Sequence, residues 1–250
     1  MTDSTTILLW IGITFIAAGL VKGVLGMGLP TVAMGLLSLV MAPAAAAAML
    51  VVPSLVTNVW QLLAGPAFGA LLRRLGTMMI AIFAGTILSI GVLTGQSASL
   101  AGAALGAILV LYGALGFTAP HFTVSAKVEY WLSPLIGLVT GLITGATGIF
   151  VIPAVPYLNS LGLAKDNLIQ ALGLSFTVST LALACALGLG GQFRLEAAST
   201  SLLAVIPALA GMFLGQRVRE KIHPEVFRRW FFIGLVVLGM YMIARVFVAK

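Results

Sequence analysis

Long apolar stretches make up most of the chain, and short polar segments separate them. Ten apolar runs fall near residues 6–27, 29–42, 44–64, 76–94, 98–117, 131–148, 149–161, 167–189, 198–216 and 229–248. Eight of them have roughly the 20 residues that a helix needs to cross the hydrocarbon core of a bilayer. The pattern predicts an all-α integral membrane protein.

Two of the runs, 29–42 and 149–161, are too short to be ordinary spans. A helix of 13 residues reaches only about 20 Å, against about 30 Å of hydrocarbon. We therefore interpret both runs as tilted spans, broken helices or re-entrant segments. Each begins at a cluster of glycine and proline: Gly26, Gly28 and Pro30 in the first, and Gly145, Gly148 and Pro153 in the second.

The chain repeats itself at an offset of 122 residues. The octet GLVKGVLG, which starts at Gly19, returns as GLITGATG, which starts at Gly141. Further along, Gly85 matches Gly211 at an offset of 126, which implies one extra helical turn. We predict two homologous halves that form one transporter domain. They are an N-terminal membrane repeat, 1–120, and a C-terminal membrane repeat, 121–250.

Composition supports the membrane assignment and adds a topology signal. Of the 250 residues, 61% are hydrophobic and only 8% are charged, and the formal net charge is +7. The basic residues lie in short gaps between apolar runs, and cytoplasmic loops of membrane proteins are where Lys and Arg concentrate. The positive charge therefore indicates orientation in a membrane and contact with lipid rather than binding of nucleic acid.

The number of spans in each half decides where the two most basic loops lie. If both short runs cross, each half has five spans, and the loop with Arg73 and Arg74 shares the cytoplasmic side with loop 217–221. An odd number of spans also makes the halves antiparallel. We predict an inverted repeat of five plus five helical segments, with broken or short helices at the centre and both termini outside. The alternative is eight full spans with two re-entrant hairpins.

Residue types that carry enzyme chemistry are sparse. The chain has two histidines and one cysteine, and its six acidic residues all lie outside the hydrocarbon runs. No group of these residues has metal-ligand spacing. We expect no enzymatic activity, no metal and no cofactor. A cation carrier would normally need a carboxylate within the membrane, so a site of neutral donors and helix ends favours an anion.

The glycine octets are the first candidate part of a binding site. Their spacing is typical of close helix packing. A helix break is expected just beyond each octet, and a break exposes backbone N–H groups that can bind an anion in a low dielectric. The candidate positions are Gly23, Gly26, Gly28, Gly145 and Gly148.

Polar side chains in two matching apolar runs are the second candidate part. They lie in PSLVTN of the first half and LSFTVST of the second, and they either join helices to each other or bind substrate oxygens. The candidates are Ser54, Thr57, Asn58, Ser175 and Ser179. Lys22 is the only charge deep in an apolar run, and two interpretations stay open: it extends to the inner interface, or it contacts the substrate.

The order of these motifs resembles the sulfite exporter TauE/SafE family of membrane permeases. The resemblance covers essentially the whole chain, from GLVKGVLGMGLPTVAM to GLITGATGIFVIPAVPYLNSLGL and the polar stretches that follow each. It implies transport of a small sulfur-containing or organic anion, such as sulfite, thiosulfate or sulfoacetate, across a bacterial-type inner membrane. One departure is that the family's consecutive glycines are diluted here, to Gly26-Met27-Gly28 and Gly148-Ile149-Phe150.

Together the residues and the resemblance predict a permease for a small anion. The expected partners are the anionic substrate and membrane lipid, with a homo-oligomer left open. An anion or neutral-solute channel, or a non-transporting subunit of a membrane complex, is the alternative.

Overall fold

The computed structural model describes residues 4–95, 98–118, 123–191 and 200–248. In this part of the chain the regular structure is entirely helical. The helices are α1 Ser4–Leu25, α2 Leu29–Leu37, α3 Pro43–Leu63, α4 Phe68–Thr94, α5 Ala98–Thr118, α6 Ala126–Thr147, α7 Ala154–Ser160, α8 Lys165–Leu189, α9 Val205–Arg219 and α10 Pro224–Val248.

Eight of these helices are long and apolar enough to cross a membrane. Helix α9 counts among them because helical residues precede it, so that its span Thr200–Arg219 has 20 residues. The predicted all-α membrane protein is confirmed. Helices α2 and α7 have only 9 and 7 residues, or about 14 and 11 Å. They lie at the same place in the helix order of each half.

Glycines in the left-handed conformation separate the short helices from the long ones before them. Helix α1 ends just before Gly26, whose φ is +75°, and Gly28 follows with a φ of +98°. Helix α6 ends at Gly148, whose φ is +73° and whose N–H donates to Thr144 O at 2.7 Å. Only glycine adopts such angles without strain, so the predicted helix breaks follow from these residues.

Glycines also bring α1 against α9 at backbone contact. A Cβ on Gly19 would overlap the carbonyl oxygen of Ala208, and one on Gly23 would overlap that of Met212. Residue numbers rise together along the two helices, so α1 and α9 run parallel. The contact is close packing through small residues.

The same contact recurs between α4 and α6. A Cβ on Gly141 would overlap the carbonyl oxygen of Ile82, and one on Gly145 would overlap that of Thr86. These glycines lie 122 residues after those of α1, and their partners lie 126 residues before those of α9. Each half therefore packs its first helix, in parallel, on the fourth helix of the other half.

Two other helix pairs join the halves in antiparallel fashion. In the α3–α8 pair, Asn58 Nδ2 donates to Thr180 Oγ1 at 3.2 Å, and Gln170 Nε2 donates to Gly65 O at 2.6 Å. In the α5–α10 pair, Gly106 meets Gly239, and Gly116 meets Phe232. In both pairs the residue number rises along one helix as it falls along the other.

The segments that contain α2 and α7 return the chain to where the preceding long helix began. Ser160, at the end of α7, accepts a hydrogen bond from Val124 N at 3.0 Å, just before α6 starts. Near the end of α2, Leu36 O accepts one at 3.1 Å from Trp10 Nε1 in the second turn of α1. An extended stretch rises about 3.3 Å per residue and a helix only 1.5 Å, so breaking the helix lets few residues cover this distance.

The helix bundle has two opposite faces, a basic face and a terminal face. The basic face is the one at which α1 and α3 end and α4 and α6 begin, and Arg74 joins Glu129 there at 2.6 Å. The terminal face is the opposite one, where α1 begins and α10 ends. There Arg245 Nη1 donates to Leu39 O at 2.9 Å.

The backbone contact at Gly19 leads to a stability prediction. Gly19→Ala should lower the free energy of unfolding by about 1–3 kcal/mol, because an added methyl group forces α1 and α9 apart. Gly12→Ala in the same helix is the matched control, since a Cβ there meets nothing within 4 Å. Thermal unfolding in detergent measures both variants, and equal midpoints would contradict the contact.

Candidate functional site

A lysine is buried where α1, α3 and α8 meet. Lys22 is 4% exposed, and its Nζ donates a hydrogen bond to Asn58 Oδ1. The ammonium also lies 6.0 Å from the centre of the Phe176 ring, within cation–π range. The interpretation in which Lys22 extends to the interface is wrong, because α3 and α8 enclose the side chain.

The asparagine that holds Lys22 joins the two halves of the chain. Asn58 Nδ2 donates to Thr180 Oγ1 at 3.2 Å, and the two residues are 122 positions apart, which is the offset of the repeat. The Thr180 hydroxyl in turn donates to Phe176 O at 2.7 Å. This contact links equivalent positions and lies where the halves face each other.

Three further buried hydroxyl groups lie within two helical turns of this contact along α3 and α8. Ser54 lies one helical turn before Asn58, Ser179 adjoins Thr180, and Ser175 lies one turn before Ser179. Their Oγ atoms have no hydrogen-bond partner among the described residues. Buried polar groups are normally paired, so these hydroxyls are available to a ligand. Thr57 differs, because its hydroxyl donates to Pro53 O at 2.8 Å in its own helix.

The five candidate glycines divide into two groups. Gly23 and Gly145 lie at the close helix contacts with α9 and α4, as a packing role requires. Gly26, Gly28 and Gly148 form the helix breaks. A Cβ on Gly148 would come within 2.9 Å of the Met34 side chain, so the second break packs against α2.

Where the glycine motif of the second half is diluted, a phenylalanine packs close to the lysine site. Phe150 occupies the position equivalent to Gly28, and its ring centre lies 5.5 Å from that of Phe176. Both rings are fully buried. The two rings form an apolar surface next to the Lys22 ammonium.

Sequence reasoning identified Asn58 and the serines but did not assign Lys22 or Thr180 to the site. Two signals were present: Lys22 is the only charge deep in an apolar run, and Thr180 lies at the repeat offset from Asn58. Neither signal reveals that the ammonium points toward α3.

The buried ammonium has no carboxylate partner in the described part of the chain. Glu129 is the buried acid there, and it pairs with Arg74 near the ends of other helices, with contacts of 2.6 and 2.8 Å. With Lys22 protonated, the site therefore carries a positive charge in a low-dielectric interior. Such a site attracts anions.

A cavity of about 560 Å³ opens at the terminal face, away from Lys22. The end of α2, the start of α5 and the end of α10 surround it, and Arg245 is the one charged residue among its described lining residues. Its lining residues are Ser38, Leu39, Val40, Met41, Ala42, Pro43, Ser99, Gly102, Met242, Arg245 and Val246.

These features define a class of protein: a multi-pass helical membrane protein whose two packed halves enclose a lysine. Comparison with known families makes the class specific. The family model described as Sulfite exporter TauE/SafE matches residues 11–242. The chain belongs to that family of membrane permeases. Comparison of the chain with curated proteins finds no match, and comparison with solved structures finds none either.

The contact between Lys22 and Asn58 is testable through a double-mutant cycle. Asn58→Leu removes the acceptor of a buried ammonium and should cost about 1–3 kcal/mol of stability. The double variant, with Lys22→Met and Asn58→Leu, should lose less stability than the sum of the losses in the two single variants, by at least about 0.5 kcal/mol. Thermal unfolding of the four proteins measures the coupling. Additive effects would show that the two side chains do not interact.

Proposed function

We propose that the protein is a permease that carries a small anion, a sulfur-containing oxyanion or organosulfonate, across the inner or plasma membrane of the cell. The observation that carries this proposal is the Lys22 ammonium, which is buried between the halves and has no carboxylate partner among the described residues. A buried charge needs a partner to offset its desolvation, and a transported anion supplies one each time it binds.

The side chains around Lys22 offer a sulfonate or sulfite group several donors. The ammonium has three N–H bonds, of which one goes to Asn58. The unpartnered hydroxyls of Ser54, Ser175 and Ser179 would each donate to an anionic oxygen, and each such bond contributes on the order of 1.5–3 kcal/mol. Asn58 has the role of positioning the ammonium, because its amide oxygen accepts from Lys22 and one of its two N–H bonds donates to Thr180.

The helix breaks complete the proposed site. Gly28 precedes the N-terminus of α2, where unpaired N–H groups and the helix dipole favour an anion. Gly26 and Gly148 would contribute by ending α1 and α6, because their own N–H groups donate to Lys22 O and Thr144 O. Gly23 and Gly145 would act indirectly, by setting how closely the halves approach. Thr57 would act through the backbone of α3, since its hydroxyl is bonded within that helix.

We further propose that the halves are inverted repeats. The directions of the packed helices support this: α1 with α9 and α4 with α6 are parallel, whereas α3 with α8 and α5 with α10 are antiparallel. If the short segments did not carry the chain across, α3 and α8 would both run opposite to α1 and hence parallel to each other. Five crossings per half satisfy all four pairs, and four crossings do not.

The two faces differ in a way that fits alternating access. At the basic face Arg74 pairs with Glu129 and also donates to Leu161 O at 3.5 Å. At the terminal face the cavity beside Arg245 is open. We propose that the terminal face is external and that the Arg74–Glu129 pair closes the cytoplasmic side.

The inverted arrangement predicts which loops share a side. With exposed Cys185 first replaced by Ser, cysteines at Arg73 and Arg219 should both be labelled only from the cytoplasm by a membrane-impermeant reagent. A cysteine at exposed Val40 should be labelled only from outside. Labelling of Arg73→Cys and Arg219→Cys from opposite sides would contradict the inverted repeat. Gln96 and Arg194, which sequence places outside, lie beyond the described residues.

Anion binding should depend on Lys22. We expect Lys22→Met to weaken binding of sulfite or a sulfonate by roughly tenfold to a hundredfold or more, because a charge-assisted hydrogen bond is lost. Asn58→Asp should have a similar effect, since its carboxylate would neutralise the ammonium. The matched control is Lys165→Met, at an exposed lysine that begins α8. Titration calorimetry and flux into liposomes measure both effects, and a folded Lys22→Met protein with wild-type affinity would refute the site.

A further inference from the structure

The position equivalent to Lys22 in the second half is Thr144, 122 residues later. The two backbones make the same contact at the helix break: Gly26 N donates to Lys22 O at 2.7 Å, and Gly148 N donates to Thr144 O at 2.7 Å. The following residues, Gly23 and Gly145, make the equivalent close contacts with α9 and α4. Residues 22 and 144 thus hold matching places on the two sides of the interface between halves.

The chemistry of the two positions is different. Lys22 directs its ammonium to Asn58 of α3, in its own half. Thr144 is fully buried, and its hydroxyl donates to Thr140 O at 2.7 Å within its own helix. The first half therefore supplies a cation, and the second half supplies a neutral side chain at the same place.

Lys22 is also the one basic residue that is buried in the described part of the chain. The other described arginines and lysines are exposed and lie in loops or near helix ends. The one buried acid described, Glu129, has its charge offset by Arg74. Protonated Lys22 therefore gives the centre of the bundle a single positive charge.

From this count we infer that the site selects a substrate with one negative charge, and that position 144 sets this preference. This rests on the proposed function. A monoanion on Lys22 leaves the occupied centre neutral, whereas a dianion leaves an uncompensated negative charge in a low-dielectric interior. The substrate class is thus a monosulfonate or hydrogen sulfite, and not sulfate, thiosulfate or a disulfonate.

The same argument predicts how charge selectivity changes. Thr144→Lys places a second ammonium at the matching position, and the centre then carries two positive charges. Its preference should move toward dianions. The exchange variant, with Lys22→Thr and Thr144→Lys, again has one positive charge at the centre, now supplied by the second half. It should restore the preference for monoanions.

Ethanesulfonate and ethane-1,2-disulfonate make a suitable pair of probes, because both are fully ionised near neutral pH and differ by one charged group. Binding to the purified full chain is measured by titration calorimetry at fixed ionic strength. We expect the wild type to bind ethanesulfonate at least about tenfold more tightly, a difference of about 1.4 kcal/mol. Thr144→Lys should reduce or reverse that ratio, and the exchange variant should bring it back.

The outcomes separate this inference from the proposed function. Wild-type protein that binds the disulfonate as tightly as ethanesulfonate, in a manner that Lys22→Met abolishes, would overturn the single-charge inference and leave the permease proposal standing. Binding of neither probe, nor of sulfite, would overturn both. If Thr144→Lys fails to fold, the comparison of the two probes on the wild type still decides the inference.

Discussion

The close approach of backbones between α1 and α9, and between α4 and α6, is the constraint on which the arrangement depends. At both interfaces a glycine lies where any Cβ would overlap a carbonyl oxygen of the partner helix. Because helices in a membrane gain little from apolar burial, such contacts must stabilise the bundle through van der Waals packing. Each interface joins the first helix of one half to the fourth helix of the other. The halves are therefore interlocked, and the space between them is built by both.

The Lys22 ammonium is buried in that space, and its burial costs free energy. Removing a charge from water costs several kcal/mol unless hydrogen bonds and an opposite charge offset it. Lys22 obtains an amide oxygen from Asn58 and the face of Phe176, but no carboxylate among the described residues. The protein thus keeps its central site positive and incompletely satisfied. In the proposed function a bound anion offsets this charge, so the occupied site is more favourable than the empty one.

Much of the fold follows from local sequence. The long apolar runs and the glycine breaks depend on residues near each other in the chain, and the structure has the helices and breaks that they predict. The site was only partly predictable. Asn58 stood out as an amide in hydrocarbon, but whether Lys22 reaches the interface or turns inward depends on where α3 packs, which no local pattern encodes. Likewise, the sequence does not reveal that the Thr57 hydroxyl donates within its own helix.

The most direct test of the account is to locate a bound anion. Crystals grown with a bromine-labelled monosulfonate would place the anion by anomalous diffraction. The account predicts a sulfonate within hydrogen-bond distance of Lys22 Nζ, between α3 and α8, with the hydroxyls of Ser175 or Ser179 turned toward it. A sulfonate found only in the cavity beside Arg245, with Lys22 still bonded to Asn58 alone, would contradict the central claim.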